Sequence, residues 1–264
     1  MTGQEHIAAA FAGNDKRAAL MPYLMGGFPD VEASRAIGDA CIDAGADLLE
    51  LGIPFSDPLA DGPVIQAAGT RALESGATTD QVLGVCERLA ARAPIVLMTY
   101  VNIVLARGIE RFVDQAASVG AAGLIVPDVP LEESAELRAA CDGAGLALVP
   151  LVAPTTPDDR MARIGAHARG FVYTVSVVGT TGEREGGDAT ELLARVKAST
   201  DVPVALGFGI SSAEQAAAAA DAGADGVIVG SRLVRAAAES DDPAAAVGQL
   251  VGQLAEGLAA ERVS

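Results

Sequence analysis

A ten-residue phrase recurs in this chain and constrains its fold more than any other feature. Residues 43–52 read DAGADLLELG, and residues 221–230 read DAGADGVIVG. VGAAGLIVPD at 119–128 and GAGLALVPL at 143–151 are looser copies. Each copy carries a glycine where a helix has to stop, the residue type best suited to a left-handed C-cap. Each then runs directly into a short apolar stretch. That is the joint between helix and strand in a β/α unit.

Eight such stretches can be counted: Ala19–Met25, Asp47–Leu51, Ile95–Tyr100, Gly123–Val126, Ala147–Val152, Gly170–Val175, Pro203–Leu206 and Gly226–Val229. They are nearly continuous in apolar character, as parallel strands covered on both faces are. Helical patterns lie between them. Leu137, Ala140, Cys141 and Ala144 have i, i+3, i+4, i+7 spacing and share one face. Ala213–Ala222 is helical by propensity, and Thr156-Pro157 followed by Asp159 reads as an N-cap with a first-turn proline and acid. Eight units in 264 residues predict a single-domain (β/α)8 TIM barrel over residues 1–264, with an extra N-terminal helix and long βα loops 2 and 6. An open doubly wound sheet is the second possibility. The first strand ends in Met25-Gly26-Gly27-Phe28-Pro29, which does not fit a dinucleotide fingerprint, and no GxxxxGK loop is present.

Half of the chain is hydrophobic and only 3% is aromatic, without tryptophan, so the core has to be aliphatic. A formal charge of −17 excludes a nucleic-acid partner, which needs clustered Lys and Arg, and disfavours an anionic membrane. Cys41, Cys86 and Cys141 are odd in number, far apart and in helical patterns, which points to packing rather than disulfides or zinc. No secretory signal or spanning segment is visible, so the expected location is cytoplasmic.

Barrel active sites lie at the C-terminal strand ends. Two long loops stand there: Gly52–Gly62 after the second strand, and the glycine-rich Val177–Asp188, a candidate lid, after the sixth. Glu50 falls within a strand expected to be buried. It is either a carboxylate neutralised by an arginine or a carboxyl at the barrel mouth whose pKa desolvation raises into a useful range. Asp61 is either a turn or N-cap aspartate or the second acid of the site. Glycine-rich turns follow strands six, seven and eight: GTTG at 179–182, GFGISS at 207–212, and Gly230-Ser231. Such turns bind phosphate through backbone N–H groups.

The remaining chemistry follows from what the residues allow. The two lysines are Lys16, ahead of strand one, and Lys197, late on a helix, and neither suits a Schiff base. The two histidines, His6 and His167, lie in the N-terminal segment and toward a helix end. They suit neither a metal site nor a nucleophile's base. Carboxylate acid–base chemistry on a phosphorylated substrate is left, and no metal is called for.

The segment Leu49–Pro63, LELGIPFSDPLADGP, resembles the signature of the tryptophan synthase α subunit family. The likeness extends to Pro22-Tyr23, Met98-Thr99-Tyr100-Val101-Asn102, Pro127-Asp128-Val129-Pro130, the GTTG loop, GFGIS and GVIVGS. It implies a (β/α)8 lyase performing retro-aldol cleavage of indole-3-glycerol phosphate to indole and glyceraldehyde 3-phosphate. By that resemblance Glu50 would protonate C3 of the indole and help remove the hydroxyl proton, while Asp61 would accept from the indole N–H. Tyr23, Met98, Ile125 and Phe208 would line the indole pocket, with Tyr173 in support. Gly182, Gly209, Gly230 and Ser231 would hold phosphate, and Thr181 would engage loop two when the lid closes. The chain itself would carry no cofactor. A pyridoxal-phosphate β subunit would be its partner in an α2β2 assembly, facing Pro54, Asp57, Pro58 and Asn102. One departure is Val177-Val178, where family members often have a lid arginine. A stand-alone lyase, a related isomerase or synthase, and a non-catalytic phosphate-binding barrel are the competing functions.

Overall fold

The protein is described by a computed structural model covering residues 1–175, 189–207 and 209–259. Its strands are β1 (Ala19–Met25), β2 (Leu49–Gly52), β3 (Ile95–Met98), β4 (Gly123–Ile125), β5 (Ala147–Leu148), β6 (Leu151–Val152), β7 (Val172–Val175), β8 (Val204–Gly207) and β9 (Gly226–Val229). The helices are α1 (Gly3–Gly13), α2 (Val31–Asp43), α3 (Pro63–Glu74), α4 (Thr79–Ala90), α5 (Val101–Arg107), α6 (Ile109–Ser118), α7 (Ala135–Ala144), α8 (Asp158–His167), α9 (Ala189–Lys197), α10 (Ala213–Asp221), α11 (Ser231–Glu239) and α12 (Pro243–Leu258). Among these residues no helix is long and apolar enough to cross a membrane.

All ladders are parallel, in the order β5-β4-β3-β2-β1-β9-β8-β7-β6. The two ends of that order are successive pieces of one strand, so the sheet closes as an eight-stranded α/β barrel. The expected single stretch Ala147–Val152 is thus interrupted. Pro150 has no N–H to give to a ladder, yet its carbonyl accepts from Tyr173 N–H at 2.9 Å, while Val149 N–H reaches Leu124 O at 2.9 Å. The expected N-cap at Thr156 also moves. Pro157 occupies the N-cap position of α8, and the Thr156 hydroxyl accepts from Ala153 N–H at 3.0 Å in the preceding turn.

Two apolar layers explain why the strands read as continuous runs. Ala19, Met21, Leu48, Val96, Ile125, Ala147, Phe171, Ala205 and Ile228 point into the barrel. Leu20, Leu24, Leu49, Leu51, Ile95, Leu97, Leu124, Val172, Val204, Leu206, Val227 and Val229 point out against the helices. The period of two is real, but both faces are apolar. The predicted N-terminal helix is α1, closed by a Thr2–Glu5 capping box. It stoppers the N-terminal end of the barrel: Ile7 is fully buried in the inner layer, and Phe11 lies 5.7 Å from Phe171 between ring centroids.

The recurrent phrase acts twice in the same way at that end. Gly45 and Gly223 have φ of +101° and +99° after α2 and α10. Asp47 accepts Leu20 N–H at 2.7 Å and pairs with Lys16 at 2.9 Å; Asp225 accepts Val204 N–H at 2.8 Å and pairs with Lys197 at 2.7 Å. The first aspartates of the phrase, Asp43 and Asp221, pair with Arg92 and Arg17, each at 2.6 Å. Both lysines of the chain are therefore fixed in the frame. Cys41, Cys86 and Cys141 are free and buried on α2, α4 and α7, where burial pushes each thiol up to about 12. His6 and His167 are exposed on α1 and α8.

Candidate active site

The inward rows of β1, β2, β3 and β7 end in Tyr23, Glu50, Met98 and Tyr173, and these four side chains wall a cavity of about 450 Å³. Register brings them together: Tyr23 is paired with Glu50, and Gly52 with Met98. Two glycines make the room. A Cβ on Gly52 would strike the Tyr23 hydroxyl, and one on Gly207 would come within 2.5 Å of the Tyr173 hydroxyl. The glycines at these strand ends are where the two rings lie.

Glu50 is 4% exposed and its Oε2 has no hydrogen-bond partner. No arginine among the described residues neutralises it, which weighs against the paired alternative. Burial raises its pKa from 4.5 to about 8, and the charge of Asp61 adds to the rise. Asp61 reaches the same cavity from loop two. Its N–H bonds Pro58 O at 3.1 Å in a turn, while Gly62 takes the N-cap position of α3 without a side-chain cap. The Asp61 carboxyl is raised by burial and held back by a hydrogen bond from Tyr100. Tyr23 and Tyr173 lie well above the usual tyrosine range, first through burial and then through the two carboxylates. Both remain neutral donors.

One acid that keeps its proton at neutral pH therefore shares a pocket with one that gives it up more readily. Environments that separate two pKa values assign the acid and the anion. Across the cavity stand Gly209, Gly230 and Ser231. Gly230 is the N-cap of α11, and the N–H groups of Ser231 and Arg232 have no acceptor among the described residues. Free N–H groups at a helix N-terminus are anion donors.

Of the residues expected from sequence, Tyr23, Glu50, Asp61, Met98, Tyr173, Gly209, Gly230 and Ser231 share this cavity. Ile125 does not line it. It is fully buried in the inner layer beside Met98 and Tyr173. Thr181, Gly182 and Phe208, with the loop Val177–Asp188, lie outside the described residues. On the rim, Asp57 and Asn102 are exposed and Pro58 half-buried. Pro54, expected on the partner face, is buried within this chain.

Tyr100 was missed as a functional residue. It is buried, its hydroxyl bonds Asp61 and accepts Ala60 N–H at 3.1 Å, and its ring stacks on Phe55 at 5.3 Å. A signal was present: the chain has three tyrosines, and all three surround the two carboxyls. Arg232 and Arg235, which also line the cavity, carried no such signal.

A closed parallel barrel, with two acids and, among the described residues, unpaired N–H groups at its C-terminal mouth, has the form of a barrel enzyme. The chain matches the family described as tryptophan synthase alpha chain over residues 10–260. The tryptophan synthase alpha chain of Synechococcus elongatus is 53% identical over 222 residues, covering 83% of this chain and 84% of its own. That of Methanosarcina acetivorans is 47% identical over 260 residues, covering 97% and 95%. A crystal structure of tryptophan synthase from Mycobacterium tuberculosis superposes with a TM-score of 0.88 at 38% identity, covering 98% of this chain and 99% of that one. One of the α2β2 complex from Pyrococcus furiosus superposes at 0.85 and 37%, covering 91% and 99%. This chain belongs to the tryptophan synthase α chain family, the lyases that cleave indole-3-glycerol phosphate in tryptophan synthesis.

Proposed function

We propose that Glu50 and Asp61 carry the cleavage of indole-3-glycerol phosphate in this chain, with Glu50 as proton carrier and Asp61 as the fixed anion. One observation carries this reading. Glu50 is a buried carboxyl without a partner, its pKa at about 8, on the wall of the cavity that Asp61 enters. At neutral pH it is a protonated acid close to its own pKa, where proton transfer in either direction is efficient.

The steps balance. Glu50 gives its proton to C3 of the indole, which leaves the ring as an indoleninium cation and Glu50 as a carboxylate. That carboxylate takes the proton of the hydroxyl on the carbon attached to C3. The oxygen forms a carbonyl, the carbon–carbon bond breaks, and its electron pair returns to the ring and restores aromaticity. Indole and glyceraldehyde 3-phosphate leave, and Glu50 is protonated again. Asp61 accepts from the indole N–H, and its charge stabilises the cation between the two steps. Tyr23, Met98 and Tyr173 enclose the ring. The N–H groups at Gly230, Ser231 and Arg232, beside Gly209, take the phosphate.

The partner is a pyridoxal-phosphate β subunit in an α2β2 assembly. The face that supports it is the outer side of loop two and α5, where Asp57, Asn102, Leu59 (89% exposed) and Leu105 (55% exposed) stand in solvent. Tyr100 ties that face to Asp61. The test is cleavage by the purified chain with and without a β subunit, following glyceraldehyde 3-phosphate. Slow cleavage that rises steeply with the partner is expected. Fast cleavage unaffected by it would make this a stand-alone lyase, and no cleavage in either condition would remove the catalytic reading.

A further inference from the structure

Most arginines among the described residues are committed to carboxylates. Arg17 holds Asp221, Arg88 and Arg92 hold Asp39, Arg107 holds Asp80, Arg160 holds Glu132 and Arg195 holds Asp158, all between 2.6 and 2.9 Å. Arg232 and Arg235 have neither an ion pair nor a hydrogen bond among the described residues, in a chain of formal charge −17 where carboxylates are in excess. Arg111 and Arg138 lack such a partner too, but they do not line the cavity where Arg232 and Arg235 stand. That cavity contains Glu50 and Asp61, and Arg232 and Arg235 line it on the side of Gly209, Gly230 and Ser231.

Their position on α11 is also unfavourable without a ligand. The first turns of α1, α2, α4, α6, α7, α8, α9 and α10 carry Asp or Glu, which complements the helix dipole. The first turn of α11, like those of α3, α5 and α12, has no acid, and unlike theirs it carries an arginine, Arg232 at its second residue, beside N–H groups that lack acceptors among the described residues. A cation there is repelled by the positive end of the helix. An anion seated between the guanidinium and the N–H groups turns that repulsion into attraction on both sides. The same pocket presents the Asp61 carboxylate to an incoming dianion, so backbone donors alone would face a repulsive field.

We propose that Arg232 binds the substrate's phosphate directly through its guanidinium, and that Arg235, one turn further along α11, is a second cation that draws the dianion into the site. The phosphate is then held by side-chain charge as well as by backbone N–H groups. Discrimination for a phosphorylated over an unphosphorylated indole substrate comes largely from α11. This deepens the functional reading above and rests on it for the identity of the substrate.

The test uses the full chain and its R232A, R232K, R232Q and R235A variants. Inorganic phosphate and indole are titrated separately by calorimetry, and steady-state cleavage is measured alongside. R232A is expected to weaken phosphate binding and raise KM by about 10- to 100-fold, with kcat changed much less and indole binding unchanged. R232K recovers part of the loss, and R235A costs about 3- to 10-fold and flattens the salt dependence of kcat/KM. R232Q, polar and uncharged though shorter than the parent side chain, replaces R232A if the latter does not fold. Phosphate affinity equal to the parent's in R232A and R232Q overturns the proposal, as does equal loss of phosphate and indole binding. A parent chain that binds phosphate through Arg232 but cleaves nothing overturns the catalytic reading and leaves this one standing.

Discussion

The two ends of the barrel handle charge in opposite ways. At the N-terminal end the carboxylates are matched: Asp47 has Lys16 and the Leu20 N–H, and Asp225 has Lys197 and the Val204 N–H. Ile7 and Phe11 of α1 close what remains. At the C-terminal end Glu50 is buried with an unpartnered oxygen, Asp61 has Tyr100, and the guanidinium groups of Arg232 and Arg235 have no partner among the described residues. One end is satisfied and carries stability. The other keeps groups unsatisfied, at a cost to stability, so that a substrate can complete them.

Replacing Glu50 by Gln should break the comparison most visibly. The amide keeps the shape and removes the transferable proton, so kcat should fall by about 10²- to 10⁴-fold while the fold and ligand binding persist. Turnover within a few-fold of the parent would show that the unpartnered carboxyl is not the proton carrier. Asp61→Asn should lose somewhat less, about 10²-fold, through the missing anion. Both are read by following glyceraldehyde 3-phosphate.

The same Glu50→Gln variant should reveal the stability cost. Between 4.5 and about 8 the unfolded chain has lost the Glu50 proton and the folded chain retains it. The folded state then binds more protons, so the parent's stability falls as pH rises through that window and levels off above it. Glu50→Gln lacks this dependence. Denaturant unfolding at several pH values should show the variant gaining on the parent from about 4.5 to about 8, by on the order of a few kcal/mol. Parallel curves would mean that Glu50 ionises normally in the fold.

At the satisfied end the prediction reverses. The side chains of Asp47 and Lys16 are 12% and 11% exposed. Burial holds the Asp47 carboxyl above its usual range despite both partners, so the pair is not a large net gain over water. Removing one member is different, because Lys16 and the Leu20 N–H are then stranded. Asp47→Ala should lower stability by about 2–3 kcal/mol and Tm by about 5–10 °C, with KM and kcat of the folded protein unchanged. A kinetic defect without loss of stability would erase the distinction between the two ends.

Much of this was legible because the repeat is a repeat. DAGAD announces the helix-to-strand joint, and lysines at positions 16 and 197 could be set aside from Schiff-base chemistry before their partners were known. The segment around Glu50 and Asp61 was legible because a carboxyl inside an apolar run is costly wherever it points. The direction it points was not, since both strand faces are apolar and alternation is hidden. Ile125, which the family resemblance placed at the pocket wall, lies packed in the inner layer beside Met98. Pro54, which the family resemblance turned toward a partner, is buried within this chain. Arg232 and Arg235 were passed over because an arginine on an amphipathic helix usually faces solvent. Only the closed barrel shows that α11 begins at the cavity.

The smallest expected effect concerns the one site carboxyl that does have a side-chain partner. Tyr100→Phe keeps the ring against Phe55 and removes the hydroxyl that lowers the Asp61 pKa and receives the Ala60 N–H. Asp61 should then protonate at higher pH, since burial continues to raise it and nothing offsets the rise. A hydrogen bond contributes about 0.5–1.5 kcal/mol net, so kcat at neutral pH should fall by about 2- to 10-fold. The loss should be recovered at higher pH, as far as the Glu50 limb near 8 allows, and the acid limb of the profile should move upward. A uniform loss at all pH values would mean that Tyr100 only positions loop two. An upward-shifted limb would show that Tyr100 sets the charge on Asp61 and so keeps the two acids of the site apart.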